Sequence, residues 1–169
     1  MTRIGLISDT HSTLDRRVFD YFKECDEVWH AGDIGTLALA DELADFKPFK
    51  AVYGNIDGHE IRAAYPEHLR FRCENVDVWI THIGGYPGRY SHHVKPDIYD
   101  NPPRIFITGH SHILKVMPDK KSGLLHMNPG AAGVHGFHQV KTLLRFAIDG
   151  DKIQDLEVIE LGPRSAKLP

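Results

Sequence analysis

Short apolar runs alternate with amphipathic segments in the first third of the chain. The runs at residues 3–8, 27–30 and 49–53 predict buried strands. Between them, residues 14–23 and 37–46 carry apolar side chains at helical spacing, which predicts two helices. Strands that alternate with helices are typical of a parallel sheet with helices packed on it.

The remainder of the chain changes to strands joined by turns. Asp149 and Gly150 separate two apolar segments and form the strongest hairpin signal. The pattern therefore favours a mixed α/β fold, in which two sheets pack face to face with helices outside and the C-terminal residues 162–169 are frayed. The strands predicted in this part are residues 68–73, 76–82, 104–108, 113–117, 124–127, 139–148 and 152–161.

Length and composition set limits on the possible functions. The 169 residues fit one domain, residues 1–169. A formal net charge of -3 leaves no broad basic surface, so nucleic acid is not an expected partner. Cys25 and Cys73 are far apart, and no apolar run has the length of a membrane span. We therefore predict a cytoplasmic protein without a membrane partner.

Polar side chains with metal-binding chemistry follow the ends of the predicted strands. The chain has 12 histidines, and histidine is the commonest metal ligand. Residues that follow strand ends converge on one rim in layered α/β folds. Asp9 with His11, and His110 with His112, have the spacing i, i+2, which places both side chains of a pair on one side of an extended segment. The candidate metal ligands are Asp9, His11, Asp33, Asn55, His82, His110 and His112.

This set of donors has the composition of a two-metal site. If one aspartate is shared, the seven residues supply four bonds to each ion, and nitrogen and oxygen donors suit Mn, Fe, Zn, Ni or Co. Two ions about 3.5–4 Å apart lower the pKa of a bridging water and stabilise an in-line displacement at phosphorus. Taken singly, Asp9 also fits a helix N-cap, Asp33 and Asn55 fit turns, and His82 fits a buried structural histidine.

Five short motifs, in chain order, resemble those of the calcineurin-like metallophosphoesterase superfamily. The small size and the segment 128–130, of sequence Asn-Pro-Gly, are similar to its compact bacterial and archaeal phosphodiesterase branch. The small scaffold subunit of the retromer complex has a similar fold. The motifs are Asp9-Thr10-His11, Gly32-Asp33, Gly54-Asn55, Thr81-His82 and Gly109-His110-Ser111-His112.

The resemblance implies a four-layer α/β-β/α sandwich of two mixed sheets flanked by helices. It implies two divalent ions, with Mn expected first and Ni, Zn, Fe, Co or Mg as alternatives. Small members of the family often self-associate, so a homo-oligomer, either a dimer or a tetramer, is expected. The first ion would be held by Asp9, His11, Asp33 and His112, and the second by Asp33, Asn55, His82 and His110, with Asp33 bridging.

One position departs from the family pattern. Many phosphatases of the family have a histidine directly after the motif asparagine, where it acts as a general acid, and this chain has Ile56. Isoleucine cannot donate a proton, and general acid catalysis contributes about 10²–10⁴-fold. The departure favours a phosphodiester over a phosphomonoester. Asp57 and His59 are nearby candidates for a replacement acid.

We therefore predict an enzyme that hydrolyses a small phosphodiester through attack by a hydroxide that bridges the metals. Asp33, Asn55, His82 and His110 are the predicted catalytic residues, and Asn55 and Arg89 are the predicted substrate-binding residues. The alternatives are a phosphomonoesterase and a protein-binding scaffold like the retromer subunit. Competent donors at all seven positions favour an enzyme.

Overall fold

The computed structural model describes residues 1–165, which form twelve strands and four helices. The helices are α1 (Arg17–Tyr21), α2 (Leu37–Phe46), α3 (His59–Ala64) and α4 (Lys95–Asp100). No helix in this part of the chain is long and apolar enough to cross a membrane. The strands are β1 (Thr2–Ile7), β2 (Glu27–His30), β3 (Phe49–Ala51), β4 (His68–Cys73), β5 (Val76–Thr81), β6 (Gly85–Tyr86), β7 (Arg89–Tyr90), β8 (Ile105–Ile107), β9 (Leu114–Pro118), β10 (Leu125–Pro129), β11 (Val140–Asp149) and β12 (Lys152–Pro163).

The strands form two five-stranded mixed sheets and one small hairpin. The first sheet has the order β12-β11-β1-β2-β3, in which β1, β2 and β3 are parallel and β11 and β12 are antiparallel to their neighbours. The second sheet has the order β4-β5-β8-β10-β9, with β5, β8 and β10 parallel and an antiparallel strand at each edge. Strands β6 and β7 pair only with each other.

The two sheets pack face to face, and helices cover their outer faces. The apolar core between the sheets joins Leu6 and Phe146 of the first sheet to Ile80 and Ile107 of the second. A separate core packs α1, α2 and α3 on the other face of the first sheet. A third core packs Ile98 of α4 against the second sheet. The predicted four-layer α/β-β/α sandwich is thus confirmed.

Several predicted elements differ from the structure in extent. The helix predicted at residues 14–23 is limited to α1, because Asp15 accepts the backbone N–H of Arg17 on its carboxylate and that of Val18 on its carbonyl. Helices α3 and α4 and the β6–β7 hairpin were not predicted. Each of these helices has six residues and buries a single apolar side chain, so neither produces a helical pattern.

The C-terminal strand is longer than predicted. Pairing with β11 continues to Pro163, since Gly162 lies opposite Lys141 and Pro163 lies opposite Val140. The prediction of a frayed end was therefore wrong for Gly162 and Pro163. Residues 166–169, which belong to the same prediction, lie outside the described residues.

The parallel strands of both sheets deliver polar residues to one edge of the sandwich. Asp9, Asp33 and Asn55 come shortly after the ends of β1, β2 and β3 in the first sheet. His82 and His110 come after β5 and β8 in the second. Because the two sheets are stacked, their loops meet above the core between them.

Candidate metal centre

The residues predicted as metal ligands gather at this edge in two adjoining groups. Within each group, one nitrogen or oxygen atom from every residue lies within 4.8 Å of the others. Asn55 joins the second group, because its Oδ1 lies 3.0 Å from Nδ1 of His110. The structure thus brings all seven residues together. The first group is Asp9, His11 and His112, and the second is Asp33, His82 and His110.

The two oxygens of the Asp9 carboxylate have different surroundings, because one bonds to the protein and the other faces the centre of the cluster. Its Oδ2 accepts the hydroxyl of Ser8 at 2.6 Å and the backbone N–H of His110 at 3.2 Å. Its Oδ1 is buried without a hydrogen-bond partner among the described residues. That atom lies 3.1 Å from Nε2 of His112 and 3.8 Å from Nε2 of His11. One oxygen is therefore held in place and the other is left available.

Asp33 is oriented in the same way and lies between the two groups. Its Oδ1 accepts the backbone N–H of Ile56 at 3.0 Å. Its Oδ2 lies 3.3 Å from Nε2 of His11, in the first group, and 3.1 Å from Nε2 of His82, in the second. A carboxylate in this position can serve both groups.

Two histidines have their tautomers set by neighbouring oxygens. Nδ1 of His82 lies 2.8 Å from the carbonyl oxygen of Ala31, and Nδ1 of His110 faces Oδ1 of Asn55. Donation from Nδ1 leaves the lone pair of each ring on Nε2, the arrangement typical of metal-bound histidine. Nε2 of His82 and Nε2 of His11 are buried without hydrogen-bond partners in the described part of the chain.

These unpartnered atoms are the observation that tests the fit of metal ions. Buried polar atoms are normally paired, because leaving one unpaired costs about 1–3 kcal/mol. Here imidazole nitrogens face carboxylate oxygens at 3.1–3.8 Å. An imidazole lone pair and a carboxylate oxygen repel each other unless a cation, either a proton or a metal ion, lies between them. The oxygen and nitrogen donors fit divalent ions.

The charges of the cluster are mutually supporting. Burial alone would raise the pKa of Asp9, but the nearby imidazoles of His11 and His112 outweigh it and hold that pKa well below its usual range. Burial would also raise the pKa of Asp33, but the imidazole of His82 outweighs burial, and the pKa of Asp33 is lowered. Both carboxylates are therefore ionised at neutral pH, as metal ligands must be.

The backbone at the centre has an unusual conformation. A positive φ in a residue other than glycine costs about 1–3 kcal/mol and is concentrated at functional sites. Here it lets a side chain turn back sharply at the end of a strand. Five of the seven candidate ligands have it: Asp9 (52°), His11 (45°), Asp33 (55°), His110 (69°) and His112 (61°).

Cross-links between the loops hold this conformation. The N–H of Asp9 donates to the carbonyl of Gly32, and the N–H of His11 donates to the carbonyl of Asp33, both at 3.0 Å. Buried His30 accepts the N–H of Gly32 on Nδ1 and donates from Nε2 to the hydroxyl of Thr10 at 3.0 Å. Burial lowers the pKa of His30 to about 4, so the ring stays neutral.

Asp57 supports the backbone of the loops around the site. Its carboxylate is 3% exposed and accepts the backbone N–H groups of Ile34, Gly35 and Gly54. The suggestion that Asp57 replaces the missing general acid is therefore wrong. His59 is exposed at the first position of α3, and its role stays a prediction.

A loop in the C-terminal half brings His135 and His138 to the edge of the site, which the sequence left open beside an ordinary turn. The ring of His135 lies 4.8 Å from that of His11, and the ring of His138 lies 5.1 Å from that of His112. Gly136 approaches so closely that a Cβ atom there would lie 2.2 Å from Nδ1 of His112. The signal in the sequence is two histidines that flank a glycine.

Another cluster of metal-ligand side chains does not have the chemistry of a site. Glu67, His68 and His93 lie within reach of a common point but are all exposed. The indole N–H of Trp79 donates to Nδ1 of His68 at 3.3 Å. This bond places the proton of a neutral His68 ring on Nε2, so neither nitrogen has a lone pair for a metal.

Three cavities border the metal centre. One forms its mouth and is lined by residues of both groups. A second, of about 670 Å³, lies beyond His82 and includes Arg62, and a third is lined by Gly109, His110 and Ser111. Arg62 donates to the carbonyl of Asn55 at 3.3 Å; the sequence analysis missed it because α3 was not predicted. Arg89 is exposed in β7 and lines none of the three cavities. Its contact with substrate stays a prediction.

Comparisons with known proteins identify the family and agree with the fold. Residues 2–151 match the calcineurin-like phosphoesterase superfamily domain. A probable metallophosphoesterase of Methanothermobacter thermautotrophicus is 29% identical over 166 residues, covering 94% of this chain and 92% of that protein. The structure of an archaeal phosphodiesterase superimposes with a TM-score of 0.74 at 22% identity, covering 94% and 99% of the two chains. Vps29 of Entamoeba histolytica in complex with Zn²⁺ has a TM-score of 0.71 at 17% identity, covering 94% and 98%.

Proposed function

The chain belongs to the calcineurin-like phosphoesterase superfamily, and we propose that it is a two-metal phosphodiesterase that acts on a small phosphodiester. The observation that carries the proposal is the set of buried, unpartnered atoms at the centre of the cluster, Asp9 Oδ1 and Nε2 of His11 and His82. The family generally binds divalent metals. A buried site of this composition at the loop edge of a phosphoesterase fold supports metal-assisted ester hydrolysis.

The two groups suggest how the ions are shared. Asp33 is the proposed bridge, because its free oxygen lies at similar distances from His11 of one group and His82 of the other. Asp9 and His112 complete the first site with His11, and Asn55 and His110 complete the second with His82. Mn is the metal proposed first. The Zn²⁺ complex of a Vps29 shows that this fold accepts a divalent ion in a related protein.

Each protein group has a defined part in the reaction. The ions, when bound, would supply positive charge for the phosphate and lower the pKa of a water molecule. Ile56 N–H and Ser8 hold the outer oxygens of the two aspartates, so the inner oxygens are fixed before substrate arrives. Asn55 accepts from His110 on Oδ1, which leaves its amide NH₂ as a donor for a phosphate oxygen.

The absence of a proton donor at position 56 supports the choice of a diester. The side chain of Ile56 is 44% exposed and lines the mouth of the centre. Isoleucine has no proton to give to the leaving oxygen. Substrates whose leaving group is stable as an anion are therefore favoured, and a diester carries less charge that must be neutralised than a monoester dianion.

Two other functions are the alternatives. A phosphomonoesterase would use the same ions with another proton donor. A protein-binding scaffold is favoured by exposed apolar side chains at the mouth, where Phe137 is fully exposed and Ile113 is 61% exposed. A scaffold has no need of ligands held in strained backbone, so the enzyme is the stronger proposal. The cytoplasmic location and the homo-oligomeric state stay predictions.

The test is metal reconstitution with matched substrates. Protein freed of metal is supplied with Mn, Ni, Zn or Mg, and hydrolysis of bis(4-nitrophenyl) phosphate is compared with that of 4-nitrophenyl phosphate. We expect metal-dependent cleavage that prefers the diester and is lost in Asp33→Asn. A preference for the monoester would establish the first alternative. Two bound ions without activity on either ester would move the assignment to the scaffold.

A further inference from the structure

Exposed apolar side chains form a rim around the metal centre. Three isoleucines each directly follow a candidate metal ligand in the chain, and a phenylalanine lies in the loop that packs against another ligand. Apolar side chains scattered singly over a surface are ordinary, but a group of them around one site marks a place of interaction. This apolar rim consists of Ile56 (44% exposed), Ile83 (38%), Ile113 (61%) and Phe137 (fully exposed), and the isoleucines follow Asn55, His82 and His112.

Contacts with the ligands hold the rim in place. The backbone N–H of Ile56 donates to Oδ1 of Asp33 at 3.0 Å. Gly136 packs so closely on the ring of His112 that its neighbour Phe137 is tied to this ligand. The contacts that orient the ligands therefore also place the apolar side chains, and the rim is part of the metal centre.

The mouth of the centre has few charges apart from its ligands. Ile56, Ile113 and Phe137 line it together with five of the seven candidate ligands. Among the described residues of this lining there is no lysine, arginine or glutamate, and Asp33 supplies the one carboxylate. A chain of phosphates needs cations along its path. The surface around the mouth instead suits an apolar group, which gains affinity when it covers the exposed side chains.

We infer that the apolar rim binds an alkyl or aryl ester group of the phosphodiester that is cleaved at the metal centre, an inference that rests on the proposed function. A phosphate that reaches the ligands through the mouth carries its ester groups past Ile56, Ile113 and Phe137. A partner protein seated on the rim would close this entrance. A small apolar substituent covers the same side chains and leaves the ligands accessible to its own phosphate.

Alkyl phosphates test the inference, because each has a single ester group beside its phosphate. Hexyl phosphate is compared with methyl phosphate and with 2-(2-hydroxyethoxy)ethyl phosphate, a hydrophilic probe of the same length, by calorimetric titration of the Mn-loaded protein. Full burial of one CH₂ group contributes about fourfold in affinity, and cover from one side about twofold. We therefore expect hexyl phosphate to bind at least about tenfold more tightly than either of the other two.

Substitutions in the rim locate the binding site. Phe137→Ser and Ile113→Ser replace exposed side chains, so they remove apolar surface without disturbing the core. Each should reduce the ratio of hexyl to methyl phosphate affinity at least about threefold. The matched control is Val158→Ser in β12, because Val158 is 49% exposed and lines none of the cavities at the metal centre. This variant should keep the full ratio.

The outcomes separate the inference from the proposed function. Equal binding of hexyl phosphate and its hydrophilic counterpart, or a preference that persists in Phe137→Ser and Ile113→Ser, would overturn the inference. If sedimentation then shows that Phe137→Ser dissociates an oligomer, the rim is a protein interface. Cleavage of bis(4-nitrophenyl) phosphate is measured on the same samples. Cleavage without a preference for hexyl phosphate would refute the inference alone. A preference that depends on the rim, without cleavage, would refute the proposed function and leave the rim as a binding site for alkyl phosphates.

Discussion

Gly54 provides a way to disturb the metal centre without removing a ligand. A methyl group added there would lie 2.1 Å from Oδ1 of Asp33 and 2.4 Å from its backbone nitrogen, more than an ångström inside ordinary contact. The backbone of Gly54 is not in the left-handed region, so alanine is allowed on conformational grounds. The Gly54→Ala variant should therefore act through displacement of Asp33, both its carboxylate and its backbone.

The expected effect follows from the size of that displacement. Misplacement of a catalytic group by about 1 Å costs about 10²-fold in rate, and overpacking costs about 1–3 kcal/mol of stability. Gly58→Ala is the control, because a methyl group there meets no atom within 4 Å. Metal content and kcat/KM for bis(4-nitrophenyl) phosphate would be measured for both variants. Wild-type values of both quantities in Gly54→Ala would refute the assignment of Asp33 as the bridging ligand.

Three further predictions concern other parts of the site. Ile56→His introduces a proton donor at the mouth and should raise the rate on phenyl phosphate at least about tenfold relative to the diester; an unchanged ratio in steady-state kinetics would contradict the role given to Ile56. His30 is neutral in the folded state down to about pH 4, whereas the unfolded chain takes up this proton near pH 6.5. Uptake of this proton should therefore lower the free energy of unfolding of the metal-free protein as the pH is lowered between these values, with a contribution from His30 on the order of 3 kcal/mol. A urea midpoint that stays constant across this range would argue against it. Asp57→Asn replaces one of the two oxygens that accept backbone N–H groups with an NH₂ donor and should lower stability by about 2 kcal/mol, seen as a lower Tm; an unchanged Tm would show that the loops do not depend on it.

The candidate ligands could be predicted from the sequence because each strand end is marked by an apolar run that stops at a polar residue. Apolar runs that stop at Asp9, Asp33 and His110 mark the edge of each sheet, and that edge is shared by all parallel strands. Spacing and residue type then identify a metal site. The four layers follow from the same runs together with the resemblance of the motifs.

The features that were not predicted depend on contacts distant in sequence. Helix α3 buries only Ile61, and its Arg62 reaches the centre through the backbone of Asn55. The N–H of Ile56 orients Asp33, a role that no side-chain pattern reveals.

The positive φ angles of the ligand-bearing turns have an evolutionary consequence. At positions 9, 11, 33, 110 and 112 the fold alone would be better served by glycine, which adopts this conformation without strain. The needs of the site oppose the backbone preference at these positions, so in a descendant that keeps the architecture but abandons its ions each replacement by glycine relieves backbone strain. Glycine should accumulate there first in such a lineage. The residue types at these five turns can thus separate descendants that still hold metal from those retained only for their shape.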